Sequence, residues 1–276
     1  MVIDFHVHLA AREHLNPTPA AFCDSFWSGR GDWDALLSAE GFEAYLEAEG
    51  VDYAVGLPEL SPLVTGVTTN EYVRERFGGS KRLLLFANLN PWLTPRLGRE
   101  IERLAGHGFR GVKLYPTYQH YYPNEARLYP LYASCQDLGL PVMVHTGSSV
   151  FRGAKIKYGD PVLLDDVAAD FPDLVLLMVH GGRGLWYGAA EFLAQLHPNL
   201  YLEVSGLPPR NLLSYFPNLE RIHRKVIFGS DWPGNPGIRG NVEAIRALPL
   251  SAEAKDAILG GNAARLLGLD AGEGAP

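Results

Sequence analysis

The chain has 276 residues, 47% of them hydrophobic and 20% charged, with a formal net charge of −7. That supplies apolar material for a large core, and the acidic balance without a dense Lys/Arg run excludes nucleic acid as an expected partner. Two cysteines, Cys23 and Cys135, lie far apart and outside any metal-type spacing, which excludes a disulfide framework.

The first strand is read over Val2–His8. A long irregular aromatic stretch follows from Ala10 to Ser38, carrying Phe22, Phe26, Trp27 and Trp33, and is expected to be a lid or binding loop. A helix over Phe42–Glu49 leads to a strand at Asp52–Leu57, a helix at Asn70–Phe77 and a strand at Leu83–Asn88. A helix at Arg96–His107 precedes the strand Gly111–Tyr115, and a second loop of interest runs from Pro116 to Pro123. The alternation continues with helix Glu125–Leu138, strand Pro141–His145, helix Pro161–Phe171, strand Leu174–His180, helix Ala189–Leu196 and strand Leu200–Val204. It closes with a helix near Asn211–Glu220, strand Val226–Ser230 and C-terminal helices at Asn241–Ala247 and Ala252–Gly268. Residues 270–276 are Gly/Ala-rich and are expected to form a flexible tail.

Most of these strands are apolar on both faces, as strands covered on both sides are. Eight of them alternating with helices predict an α/β fold, a (β/α)8 TIM barrel forming one domain over residues 1–276. A doubly wound sheet is the competitor, weakened by the missing Gly-x-Gly-x-x-Gly after the first strand. No run approaches the ~20 apolar residues of a membrane span, and no basic stretch leads into an apolar one at the start. The expectation is a cytoplasmic enzyme with a small-molecule substrate and no membrane partner, with a homo-oligomer left open.

In such a barrel, chemistry belongs at the C-terminal ends of the strands. His6 and His8 are two apart on one strand, so both imidazoles reach one space and can share an ion at about 2.1 Å per ligand. The alternative is an ordinary polar pair. Asp4 is expected on the same face one step deeper, orienting an imidazole or bonded to backbone. His145 and His180 each end an apolar strand and open a glycine turn, and Asp231 follows the last strand. Each alone has a structural reading; together they describe a metal site with an open position, where water is acidified toward ~7. Asp231 is then both ligand and proton acceptor, and His180 orients water or polarises the substrate. Lys113 could carry a carbamate bridging two metals, bind a substrate carboxylate, or pair with an acid; the unmodified cation is preferred. Tyr115, His120, Arg183 and Trp232 are further candidate substrate contacts, whereas His14, His107, His197 and His223 read as surface residues.

This ordered set resembles the amidohydrolase superfamily, and within it the branch related to aminocarboxymuconate semialdehyde decarboxylase. The matching pieces are Asp4-Phe5-His6-Val7-His8, Gly111-Val112-Lys113-Leu114-Tyr115-Pro116, Val144-His145-Thr146-Gly147, His180-Gly181-Gly182 and Phe228-Gly229-Ser230-Asp231-Trp232-Pro233, with Ile258–Leu267 similar to the family's closing helix. The resemblance implies that His6, His8, His145 and Asp231 bind a divalent metal, most often one Zn2+, with His180 as acid/base. In binuclear members a second metal is held with a carboxylated lysine at the Lys113 position. It also implies that Asn262 and Arg265 are structural. The leading functional expectation is hydrolysis of a small amide, ester or lactone. Decarboxylation of an unsaturated or aromatic acid on the same site, and a barrel that binds metal or metabolite without turnover, are the alternatives.

Overall fold

The computed structural model describes residues 1–269; the expected tail at 270–276 lies outside the described residues. Its strands are β1 (Ile3–His8), β2 (Tyr53–Leu57), β3 (Glu59–Ser61), β4 (Gly66–Thr68), β5 (Leu83–Leu85), β6 (Ala87–Asn88), β7 (Val112–Leu114), β8 (Val142–Gly147), β9 (Leu176–Arg183), β10 (Leu200–Glu203) and β11 (Val226–Ile227). Parallel ladders join β1-β2-β5 and β6 through β11 in sequence order. β5 and β6 are two halves of one barrel strand broken at Phe86, whose N–H still bonds the Gly56 carbonyl at 3.0 Å. The seam closes between the last strand and the first: Phe5 N–H donates to Phe228 O at 3.0 Å, Asp231 N–H to His6 O at 3.0 Å and His8 N–H to Trp232 O at 2.8 Å. The result is the expected eight-stranded (β/α)8 barrel.

Strand alternation sorts the core into two layers. Inward-facing Val55, Phe86, Met143, Leu177, Val179 and Ile227 fill the barrel with Ile3 and Phe5, and the helix Asn262–Leu267 plugs one end with Ala263, Ala264 and Leu267. The other side of each strand, including Val142, Val144, Leu176, Met178, Leu200 and Leu202, packs against helix residues such as Leu46, Ile101 and Leu104. The closing helix is held by Asn262, whose Nδ2 donates to His223 O at 2.7 Å and Val226 O at 2.8 Å, while Arg265 donates to its Oδ1 at 2.8 Å. Removing those donors leaves carbonyls without partners. Asn262→Ala is therefore expected to lower unfolding stability by about 1–3 kcal/mol, read from the urea midpoint.

Four local features depart from the sequence reading. Glu59–Ser61 and Gly66–Thr68 form an unanticipated antiparallel hairpin beyond β2. The segment 10–38 is not irregular: Asn16-Pro17 opens a helix over Pro17–Trp27, flanked by 3-10 turns at Arg12–His14 and Asp34–Leu36. Arg12 staples it, with its backbone N–H on Asp34 and its guanidinium on Asp24 and Asp32. The helix expected near Asn211–Glu220 shrinks to a 3-10 turn and Leu212–Tyr215, because Pro217 disfavours helical backbone at the residue before it. Asp4 does not share the face of His6 and His8. β1 shifts register between Asp4 and Val7, so Ile3 and Phe5 point into the barrel first and the histidines follow them.

Candidate metal centre and active site

Alternation alone delivers three polar side chains to the mouth. Lys113 lies inward between outward Val112 and Leu114, His145 follows inward Met143, and Glu203 follows Tyr201 at the end of β10. The others need a break in regular backbone. The irregularity in β1 turns His6 and His8 inward, with His6 N–H held at 3.1 Å on Asp4 Oδ1. That same oxygen accepts Ser230 N–H at 2.8 Å, tying the two ligand-bearing segments together at the seam. His180 (φ 63°) and Asp231 (φ 70°) adopt the left-handed region, which costs free energy in non-glycine residues and is characteristically found at functional sites. Asp4 is thus a structural carboxylate, and burial pushes its pKa up to about 7.

Three donor atoms converge. His6 Nε2 and His8 Nε2 are 3.2 Å apart, His8 Nε2 and Asp231 Oδ1 are 3.3 Å apart, and His6 Nε2 and Asp231 Oδ1 are 3.4 Å apart. Tetrahedral ligands at about 2.1 Å from an ion sit about 3.4 Å from one another, so the triangle has the size of one face of a coordination tetrahedron. His145 is not drawn into that triangle. Its ring lies 4.7 Å from the His180 ring, and its Nε2 is buried with no hydrogen-bond partner. An orphaned imidazole nitrogen in a cavity wall, beside two imidazoles and a carboxylate, fits a divalent cation as the missing partner.

The electrostatics fit as well. Burial, reinforced by the Lys113 and Arg183 cations, holds the His6 and His145 imidazoles well below their ordinary value; burial and Arg183 do the same for His180. Neutral rings present the lone pairs that a cation requires. Burial also opposes ionisation of Asp231, but the His180, His8 and His6 rings facing it outweigh that and keep its carboxyl well below the usual range. Lys113 Nζ sits 3.2 Å from His6 Nε2, inside the centre itself. Burial pulls this ammonium below its usual value and pushes the Glu203 carboxyl above its own, while the opposite charge of each opposes the other's shift.

These groups line a cavity of about 330 Å³. His6, His8, Lys113, Tyr115, His145, His180, Arg183 and Asp231 reach it; His120 and Trp232 do not. His120 bonds Gly153 O at 2.8 Å and stacks on Tyr158. Trp232 is fully buried among Trp27, Trp33 and Phe42, in the layer between barrel and helices. The flagged aromatics at 22–33 divide accordingly: Phe22 lines the cavity and meets Phe151 edge-on at 5.2 Å, whereas Trp27 and Trp33 are core.

Sequence reading missed Glu59, Glu203, Ser205 and Gly206. Glu59, on the hairpin, is buried against the cavity with Oε2 3.7 Å from His8 Nδ1. Glu203 was legible as a carboxylate ending an apolar strand, the same signal that marked His145. Gly206 (φ +65°) is left bare because a Cβ there would lie 2.6 Å from Asp231 Oδ2 and 3.0 Å from Arg183 Nη1.

The amidohydrolase family model matches residues 3–269, almost the entire chain. The chain belongs to the amidohydrolase family. Amidohydrolase-superfamily proteins are enzymes that bind a divalent metal, and the donor set described above suits one. This amidohydrolase is 24% identical over 225 residues to a 2-amino-3-carboxymuconate-6-semialdehyde decarboxylase from Dictyostelium discoideum, covering 69% of its own length and 62% of that relative's. Among solved structures it superposes on an uncharacterized TIM-barrel protein from Bordetella bronchiseptica with a TM-score of 0.78 and 26% identity, over 97% of this chain and 98% of the other. A probable 2-pyrone-4,6-dicarboxylic acid hydrolase from Acinetobacter baumannii, with citric acid bound, gives a TM-score of 0.65 at 18% identity, over 97% and 99%. Among the described residues of the amidohydrolase, no helix is long and apolar enough to cross a membrane.

Proposed function

We propose that this amidohydrolase is a metal-dependent hydrolase that opens an amide, ester or lactone bond in a small molecule carrying a carboxylate. The observation that supports this most is the His6–His8–Asp231 triangle at the cavity wall, 3.2–3.4 Å on a side. His6, His8 and Asp231 would hold the cation, with His145 as the nearest further donor; we take one zinc or a similar divalent ion as the occupant. When bound, such an ion supplies Lewis acidity, acidifying water and polarising a carbonyl oxygen.

The chain's own groups supply the rest. Asp231 is ionised, so its carboxylate accepts the proton that water loses on attacking the carbonyl carbon and returns it to the leaving atom. His180 Nδ1 lies 2.8 Å from the Ser205 carbonyl, which can only accept, so the proton is on Nδ1 and Nε2 keeps its lone pair to orient water. Arg183 is anchored through Nε and Nη2 to Ser148 O at 3.1 and 2.8 Å. Its Nη1 faces the cavity 4.0 Å from Asp231 Oδ2, placed to bind a substrate carboxylate beside the reacting bond. Lys113 is too close to His6 to serve as a remote anion clamp, and we assign it to the centre itself. Arg183→Met is expected to raise KM for a carboxylated substrate by about 10- to 100-fold with little change in kcat, the loss of one charged hydrogen bond.

The relative's name favours a second reading on the same residues: decarboxylation of an unsaturated or aromatic acid, with Asp231 or His180 delivering the proton to carbon as carbon dioxide leaves. One screen separates the two. Purified protein with its metal content measured is offered lactones, esters and amides alongside unsaturated carboxylic acids, with carbon dioxide detection. Hydrolysis without carbon dioxide supports the first reading. Carbon dioxide release replaces it with the second, and metal-free protein of full activity ends both.

A further inference from the structure

Behind the triangle, on the side of His6 away from the cavity, lies a second cluster of His6, His180 and Glu203, all buried. It has the composition of a metal site, but its centre is filled. Ser205 Oγ is 2.8 Å from His6 Nδ1, 2.8 Å from Glu203 Oε2 and 3.1 Å from His180 Nδ1. These are hydrogen-bond lengths, and the hydroxyl stands where a cation would. Gly229 closes over the group: a Cβ there would fall 2.3 Å from Glu203 Oε1 and 3.0 Å from Ser205 Cβ. The cluster is therefore a packed hydrogen-bond hub.

Counting protons gives the hub a direction. The Ser205 carbonyl accepts from His180 Nδ1–H, so that ring is fixed without help from the hydroxyl. Both Glu203 oxygens face backbone donors, Oε1 the Ser205 N–H at 3.0 Å and Oε2 the His180 N–H at 3.4 Å, so the carboxyl is held as an acceptor and takes the one proton of the hydroxyl. Having donated there, Ser205 Oγ can only accept from His6, which places a proton on His6 Nδ1. We propose that Ser205 and Glu203 are positioning residues that lock His6 in the Nδ1–H tautomer, so that its Nε2 lone pair faces the cavity before any cation arrives. The proposal rests on the metal-centre reading for the use of that lone pair. The tautomer itself does not depend on it, because the relay runs through protein atoms alone.

The experiment uses the metal-free full chain labelled with 15N-histidine, with tautomers read from long-range 1H–15N NMR correlations at mildly alkaline pH. His6 and His180 are expected as Nδ1–H in the unsubstituted protein. Ser205→Ala is expected to move His6 toward the Nε2–H form while His180, still held by the Ser205 backbone carbonyl, stays as it was. Glu203→Gln is expected to shift His6 in the same sense. A purely structural role for the hub would perturb both rings or neither. Zn2+ titration of the Ser205→Ala protein is expected to show affinity lowered by about 10- to 100-fold, the usual size for loss of a group that orients a ligating histidine. His6 found as Nε2–H in the unsubstituted chain, or unmoved by Ser205→Ala, overturns the proposal. An Nδ1–H tautomer in a protein that binds no Zn2+ leaves the relay standing and removes the metal-centre reading instead.

Discussion

Asp231→Asn is expected to lower kcat by about 10²- to 10⁴-fold while the protein keeps its fold and most of its metal. The amide has the shape of the carboxylate, so Gly206 still leaves room for it and the left-handed backbone at 231 is unchanged. What disappears is the acceptor. An amide oxygen can still lie beside His8 Nε2, now 3.3 Å from Oδ1, but it cannot take a proton from water. The measurement is steady-state turnover at saturating substrate, with circular dichroism and metal content run on the same sample. A kcat within about threefold of the unsubstituted enzyme contradicts the role given to Asp231.

His6→Ala is expected to cost at least about 100-fold in Zn2+ affinity, read by titration calorimetry on chelator-treated protein. His6 is the vertex common to both clusters, with Nε2 in the triangle and Nδ1 on Ser205. It is fully buried, so its removal also opens a cavity beside Glu203 and strips a donor from the hub. A drop in melting temperature should accompany the loss of metal. His8→Ala is expected to lose metal as strongly but stability less, because its side chain is 21% exposed. His14→Ala, outside the cavity, is the control that should leave metal binding unchanged. Metal binding unaltered in His6→Ala removes the triangle from consideration as the cation site.

The eight-strand rhythm and most helix positions were legible from apolar periodicity, because parallel strands covered on both faces must be apolar throughout and helices between them must not be. The hairpin Glu59–Thr68 was not, since two three-residue strands carry no periodic signal. Nor was the placement of Trp27, Trp33 and Trp232. Composition marks an aromatic segment as apolar but does not say which rings face a cavity and which fill the gap between barrel and helices.

The sequence by itself determined which residue types end the strands: His8, Lys113, His145, His180 and Asp231 lie at or just beyond the ends of runs that read as strands, and a barrel must bring such ends to one mouth. Tertiary structure alone decided which of them touch. A register shift in β1 and two left-handed residues, His180 and Asp231, override the period of two. The spacing of His6, His8 and Asp231, and the hydroxyl set behind them, depend on contacts across about 200 residues of sequence, which local periodicity cannot encode.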